Sequence, residues 1–345
     1  DIAPEYVVFV DGFRDSPEWG STAVFLPFLY YKYYGDDSLI FEFYDVMKRY
    51  VDYLSGTANN HILSHGLGDW CDFRINEPYG VSKNTPVPLS ASVHYYMTID
   101  YLCKAAELTN KADDLKYYSS LKDDVKTAFN KEFFDPVTMQ YGTGSQASNS
   151  MPLFAGLVEE QHKRAVLDNL IKNIEENGFR LTTGDVGNRY LFQTLAMNDL
   201  DEIMYKMHNH YEVPGYGFQL KFGVTTLTEL WDPRDGASWN HFMMGQIEEW
   251  FYKSLAGINV EDNDYSGFQN LLIQPKPVGD LSYVNASHKT LYGKVTVDWK
   301  IADDIFHINV SIPGNSKGKI ILPFSKKEMI VESGNYYFTD NLITN

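Results

Sequence analysis

Residues 224–233, Val-Thr-Thr-Leu-Thr-Glu-Leu-Trp-Asp-Pro, set one carboxylate, Glu229, among threonines and an indole, and Ser238-Trp239-Asn240-His241 follows shortly after. A carboxylate in such company suits general-base work, taking a proton from water as the water attacks an electron-poor carbon. When that carbon is oxocarbenium-like, a second and protonated carboxyl has to serve the leaving group. Read from this segment alone, Glu229 is equally well a surface acid and His241 a histidine at a helix cap. A second cluster is Gly66-Leu67-Gly68-Asp69-Trp70-Cys71-Asp72, a glycine-flanked loop in which Asp69 could bind hydroxyls and Trp70 could stack on a ring. The alternative is an Asx-turn aspartate beside a core indole. The third is Asp15-Ser16-Pro17-Glu18-Trp19-Gly20, leading into a helix, or else an ordinary stop with a packed indole. Phosphate-cradling glycine loops, serine-hydrolase elbows and His-Glu-x-x-His zinc helices are absent from the sequence. Neither a metal nor a cofactor is expected.

These clusters need a scaffold, and the apolar periodicity supplies one. As far as about residue 257 the spacing is helical. Thr22 to Tyr34 and Ser38 to Leu54 form one predicted pair, split by Gly35-Asp36-Asp37; Ser90 to Leu108 and Ala112 to Phe133 form another, joined by Thr109-Asn110-Lys111. Further helices are predicted over 150–157, 159–177, 187–197, 199–209 and 240–255, with Ser238 or Asn240 as a cap for the last. Beyond Gly257 the texture becomes period-two, with strands predicted over 268–274, 283–290, 293–300, 305–312 and 317–322. Gly279-Asp280, Tyr292-Gly293, Asp303-Asp304 and Pro313-Gly314-Asn315 read as hairpin turns. The expectation is therefore a mainly α chain with an all-β C-terminal domain: a toroid of α-hairpins over residues 1–260 and an antiparallel β-sandwich over 261–345.

Composition narrows the partners. The chain has 345 residues with 29 Lys+Arg against 46 Asp+Glu, a net charge of −17 and a pI near 4.9. Such a surface repels phosphate backbones and anionic lipid, so neither nucleic acid nor membrane is an expected partner. Aromatic residues make up 15% of the chain, with 25 Tyr and 6 Trp. Rings with polar handles stack on sugar faces, which favours a carbohydrate ligand; the bland alternative is that they fill a helical core. Residues Asp1 to Tyr6 lack the basic start and apolar stretch of a signal peptide. Cys71 and Cys103 are too few for a disulfide scaffold.

Taken in order, Ser16-Pro17-Glu18-Trp19-Gly20, Tyr33-Tyr34-Gly35-Asp36, Met47 to Leu54, Gly68-Asp69-Trp70, Leu181-Thr182-Thr183-Gly184, Thr225 to Trp231 and Asn240 to Gly245 resemble the inverting α-L-rhamnosidases of glycoside hydrolase family seventy-eight. Gly257-Ile258, Leu272 to Pro277 and Thr290 to Gly293 resemble that family's passage into its C-terminal β-sandwich. The resemblance implies an (α/α)6 six-hairpin barrel and hydrolysis of terminal α-L-rhamnosides. It implies that Glu229 is the general base and that Trp19, Trp70 and His241 contact the sugar, with Asp69 and Trp231 beside matched positions. Its substrate would be a rhamnose-containing oligosaccharide or glycoside, met in the periplasm or outside the cell. The sequence departs from the pattern in Ser21 after Trp19-Gly20 and in Thr228 before the base. It also lacks the Arg-Asp-Glu-Arg-x-Gly-Trp motif that carries the family's general acid, and it offers about nine helices, fewer than six hairpins need. A barrel without its first helices, an acid lying upstream, weak activity of this chain alone and self-association through an exposed seam are the corresponding expectations. The alternatives are a six-hairpin glycosidase of other sugar specificity, or a carbohydrate-binding remnant without turnover.

Overall fold

The computed structural model describes residues 15–74, 79–235, 237–261 and 263–342. They form two compact units. The first takes most of residues 1–245 and is helical; the second gathers Leu29–Asp37, Asp199–Tyr205 and Gln246–Asn345 around the β-strands.

Along the helical part of the chain, α1 (Pro17–Gly20), α2 (Thr22–Tyr34), α3 (Ser38–Glu42) and α4 (Tyr44–Thr57) precede the long hairpin of α5 (Val87–Leu108) and α6 (Ala112–Phe133). Helix α5 is buried nearly all round from Leu89 to Ala106, whereas α6 is amphipathic and buries Tyr118, Val125 and Phe129. A helix apolar on every side belongs inside, and one with a single apolar stripe belongs on its outer flank. Between them, Asn110 adopts a left-handed φ of 57°, and Lys111 N–H donates to the Ala106 carbonyl, which closes α5. Asp113 and Asp114 then open α6 at the positive end of its dipole. A two-stranded ribbon, β1 (Phe134–Asp135) and β2 (Gln140–Tyr141), leads to α7 (Gln146–Ala155), α8 (Lys163–Glu176), α9 (Gly187–Met197), α10 (Asp201–His208) and α11 (Tyr216–Leu220). Ser145 caps α7 by accepting the Ser148 N–H, and Gly156 ends it at a φ of 73°. Helix α7 also buries polar groups: Gln146 accepts the Thr182 N–H and donates to the Arg180 carbonyl, fixing the loop before α9.

In the second unit, the predicted helix over 240–255 is not continuous. It resolves into a 3₁₀ turn at Phe242–Gln246, α12 (Ile247–Trp250) and a π-helical turn at Phe251–Leu255. The Leu255 carbonyl at that widened end accepts the indole N–H of Trp299, the central residue of the β core. Two four-stranded sheets follow. One has the order β10 (Gly334–Asn341), β7 (Ile305–Ile312), β6 (Gly293–Ala302), β5 (Tyr283–Thr290); the other has β3 (Ile258–Asn259), β4 (Asn270–Ile273), β8 (Lys317–Ile321), β9 (Glu328–Val331). Strand alternation puts Val295, Val297 and Trp299 on the same face as Phe306, Ile308 and Val310, with Trp299 opposite Ile308. Asp303 and Asp304, both at positive φ, make the tight turn between β6 and β7.

Three expectations are corrected here. Pro313-Gly314-Asn315 joins strands of different sheets and is therefore a crossover, not a hairpin; Gly279-Asp280 is another. The second sheet is not wholly antiparallel, since β4 and β8 pair in parallel. The predicted helix over 38–54 breaks at Phe43. No helix among the described residues is long and apolar enough to cross a membrane.

Candidate active site

Two segments far apart in sequence are drawn together by glycine. A Cβ at Gly184 would lie 2.6 Å from the Asp69 carbonyl oxygen and 2.7 Å from the Asp72 nitrogen, so only glycine lets the 182–185 chain reach the 69–72 loop. At that contact Asp185 N–H donates to the Trp70 carbonyl at 2.8 Å, and Phe73 N–H donates to the Thr182 carbonyl at 3.1 Å. Asp69 locks the join, its carboxyl accepting N–H bonds from Gly184 (2.9 Å) and from Gly187 (2.6 Å) at the start of α9. Burial, aided by Asp72, pushes the Asp69 carboxyl up to about 8 against the lowering pull of those two amides.

The Glu229 segment is built separately. Glu229 N–H donates to the Ser238 carbonyl at 2.9 Å and His241 N–H to the Leu227 carbonyl at 3.0 Å, pairing the two halves of the loop. The Gln219 side chain on α11 donates to the carbonyls of Thr228 and Leu230, gripping the backbone on both sides of Glu229. The Glu229 carboxylate faces the Trp70 indole N–H at 3.5 Å through one oxygen and takes the Ser238 N–H at 3.3 Å through the other.

His241 completes the cluster. Its Nε2 lies 3.3 Å from Oδ2 of Asp185, which is only 1% exposed. The bond to Asp185 raises the His241 pKa, while burial raises that of Asp185. One ligand atom from each of Asp185, Glu229 and His241 falls within 4.8 Å of the others. Among the described residues this trio is the one set able to hold a cation; His241 Nε2 is buried there with the 3.3 Å ion-pair contact to Asp185 and no hydrogen bond of good geometry.

Of the residues singled out in the sequence, Trp70, Glu229 and His241 are thus brought together. Trp19 is half-buried on α1, with its backbone N–H on the Ser16 carbonyl, and no described contact joins it to Glu229. Two expected sugar contacts are corrected. Trp231 is fully buried; its N–H donates to the Thr183 carbonyl and its ring meets Tyr216 edge-on at 5.4 Å, so it supports the 182–185 segment from beneath. Asp69, also without exposure, spends its carboxyl on two amides. Asp185 emerges as the acid that orients His241; in sequence it carried no more signal than its place after Leu181-Thr182-Thr183-Gly184.

Comparison with known proteins decides the family. The model of the bacterial α-L-rhamnosidase six-hairpin glycosidase domain matches residues 1–255, and that of the bacterial α-L-rhamnosidase C-terminal domain matches residues 257–337. The chain belongs to the bacterial α-L-rhamnosidase six-hairpin glycosidase family. An α-L-rhamnosidase of Formosa agariphila is 27% identical over 330 residues, covering 93% of this chain and 35% of the relative. One of Streptomyces avermitilis is 25% identical over 315 residues, 88% of this chain and 29% of the relative. The solved α-L-rhamnosidase of Dictyoglumus thermophilum superposes with a TM-score of 0.86 at 31% identity, over 95% of this chain and 40% of that one. The Streptomyces avermitilis enzyme complexed with L-rhamnose gives 0.86 at 23% identity, over 97% and 34%, a likeness of fold. The chain spans about a third of the length of the curated relatives it matches.

Proposed function

We propose that this rhamnosidase-family chain carries the general base for hydrolysis of terminal α-L-rhamnosides with inversion, and that Glu229 is that base. The carrying observation is the Glu229 carboxylate poised between the Trp70 indole N–H and the Ser238 amide, beside the Asp185–His241 pair. Two donors steady the carboxylate while leaving it lone pairs for a water, and His241 adds a third polar group at the same place.

In an inverting reaction the acid and the base stand roughly 6.5 to 9.5 Å apart, leaving room for water beneath the anomeric carbon. Asp185, with an oxygen within 4.8 Å of Glu229, is too near to be that acid. Asp69 is held by two backbone amides, and Asp72 accepts from Ser82, Lys83, Asn84 and Thr85, so neither can swing to a leaving group. Asp185 acts on His241, keeping the imidazole oriented and more basic. The substrate class, α-L-rhamnosides, is supported by the names of the relatives and by the L-rhamnose bound to the Streptomyces avermitilis enzyme.

The test is proton NMR of the first turnover, by this chain, of 4-nitrophenyl α-L-rhamnoside, whose leaving group departs without a general acid. Initial release of β-L-rhamnose is expected. Initial release of the α anomer, or turnover of an α-glucoside in preference, would refute the proposal.

A further inference from the structure

The paired segments 70–73 and 182–185 run antiparallel, and the site occupies only one end of them, at Trp70 and Asp185. At the other end Phe73 and Thr182 line a second cavity of about 370 Å³. Three residues of extended chain span at most about 11 Å, so Thr182 lies no farther than that from Asp185, which borders Glu229. The lining is polar, with three carboxamides, three hydroxyls and two guanidiniums, those of Arg74 and Arg180; it includes no acidic residue among those described.

How the guanidinium of Arg180 is held sets this cavity apart. Gly178 and Phe179, both at positive φ, turn the chain out of α8, and Gln146 then fixes the Arg180 carbonyl. The Arg180 side chain donates from Nη2 to the carboxamide oxygen of Asn177 at 3.1 Å, and its Nε–H is buried without an acceptor. Asn177 is itself steadied by Asn173. Across the cavity, Arg74 Nε donates to the carboxamide oxygen of Asn84 at 2.7 Å. At Arg180 the carboxamide orients the guanidinium as a carboxylate would, but does not cancel its positive charge. On a chain of net charge −17, a concave site with this local sign selects for an anion that the rest of the surface repels.

We propose that this cavity is an accessory subsite for an acidic sugar lying near the terminal rhamnose of the substrate, with Arg180 as its anchor. The group recognised is an anionic substituent, a uronate carboxylate or a sulfate ester, met by the planar fork of the guanidinium. The carboxamides and hydroxyls suit the remaining sugar hydroxyls, and the Phe73 ring offers an apolar face. The proposal rests on the rhamnoside reading of the Glu229 site and names the substrate class that site would favour.

Calorimetric titration of the intact chain tests it with four ligands: L-rhamnose, rhamnosyl-glucose, rhamnosyl-glucuronate and rhamnosyl-glucose bearing a sulfate ester. A charged ligand is expected to bind roughly 10- to 100-fold more tightly than rhamnosyl-glucose, the worth of one charge-assisted hydrogen bond, and the better of the two names the group. Arg180→Gln should erase that preference and leave L-rhamnose binding unchanged. Asn177→Asp keeps the arginine but supplies a competing carboxylate, so it should erase the preference too; unchanged melting curves show that both variants fold. L-rhamnose binding with no preference for a charged disaccharide, or a preference that survives in both variants, overturns the subsite and leaves the reading of Glu229 intact. Binding of the acidic ligands without affinity for L-rhamnose overturns the rhamnoside reading and leaves the anion site standing. No binding of any ligand overturns both.

Discussion

Replacing Gly184 with Ala should separate the two segments on which the site is built. The new methyl would fall 2.6 Å from the Asp69 carbonyl oxygen and 2.7 Å from the Asp72 nitrogen, both backbone atoms that cannot rotate away. The chain must shift by about an ångström, a strain that the loss of cross-links between the segments would relieve. The bonds at risk are Asp185 N–H to the Trp70 carbonyl, at 2.8 Å, and Gly184 N–H to the Asp69 carboxyl, at 2.9 Å. Asp69 is protonated at neutral pH, so both are neutral hydrogen bonds, each contributing about 0.5 to 1.5 kcal/mol, and the loss is roughly 1 to 3 kcal/mol. At about 2 to 4 °C per kcal/mol for a chain of this order of size, Tm should fall by roughly 2 to 12 °C. Because Trp70 and Asp185 ride on the displaced segments, affinity for L-rhamnose should fall as well. Circular-dichroism melting and rhamnose titration measure both effects. Gly56→Ala, in α4 with nothing within 4 Å of the new methyl, is the control and should be neutral or stabilising by up to about 1 kcal/mol. A Gly184→Ala chain that melts within about 2 °C of the parent and binds rhamnose equally well would show that the close approach is not what holds the site.

Glu229→Gln should keep rhamnose binding while lowering kcat by roughly 10² to 10⁴, the usual worth of a positioned base; parental turnover would remove the assignment. Asp185→Asn should let the His241 pKa fall back toward its ordinary value, read by NMR titration of the ring, and an unmoved titration would dissolve the pair. Burial holds the Glu18 carboxyl up at about 7 and Asp69 at about 8. Both are protonated in the folded chain at pH values where the unfolded chain has already lost the proton. Their contribution to stability should therefore decline as pH rises from about 4 through about 8, and the Tm difference between parent and Glu18→Gln should shrink as pH rises toward about 7. Matching Tm profiles for parent and variant would contradict it.

Periodicity gave the helices at 112–133 and 187–197 to the residue, because each has one apolar stripe and a clear stop. It missed α11, five residues long and opening on glycine-rich chain, and β9 and β10, whose inward residues are only partly buried. Glu229 and His241 were legible because their pairing is local, through Leu227 and Ser238. Trp70 and Trp231 were not distinguishable: each stands next to an aspartate, Asp69 and Asp232, yet one indole faces Glu229 and the other lies sealed under Thr183. What separates them is contact between segments more than a hundred residues apart, which depends on Gly184 and Gly187 having no side chain. A one-dimensional pattern does not carry that information.

The makeup of the strand-bearing unit has a consequence for synthesis. Its helical edge, Leu29–Asp37, leaves the ribosome early, and the residues it packs on come much later: Tyr31 stacks on Tyr265, Tyr33 on Phe268, and Gly35 abuts Ser266 and Gly267. With about 230 residues intervening and translation at roughly 5 to 20 residues per second, Tyr31 and Tyr33 wait on the order of 10 to 50 s for their partners. A nascent chain carrying two unmatched tyrosines for that long is a client for chaperones. An excised piece starting at Gly257 would lack that edge altogether, so the strands, although a distinct unit in sequence, are not expected to be a portable module.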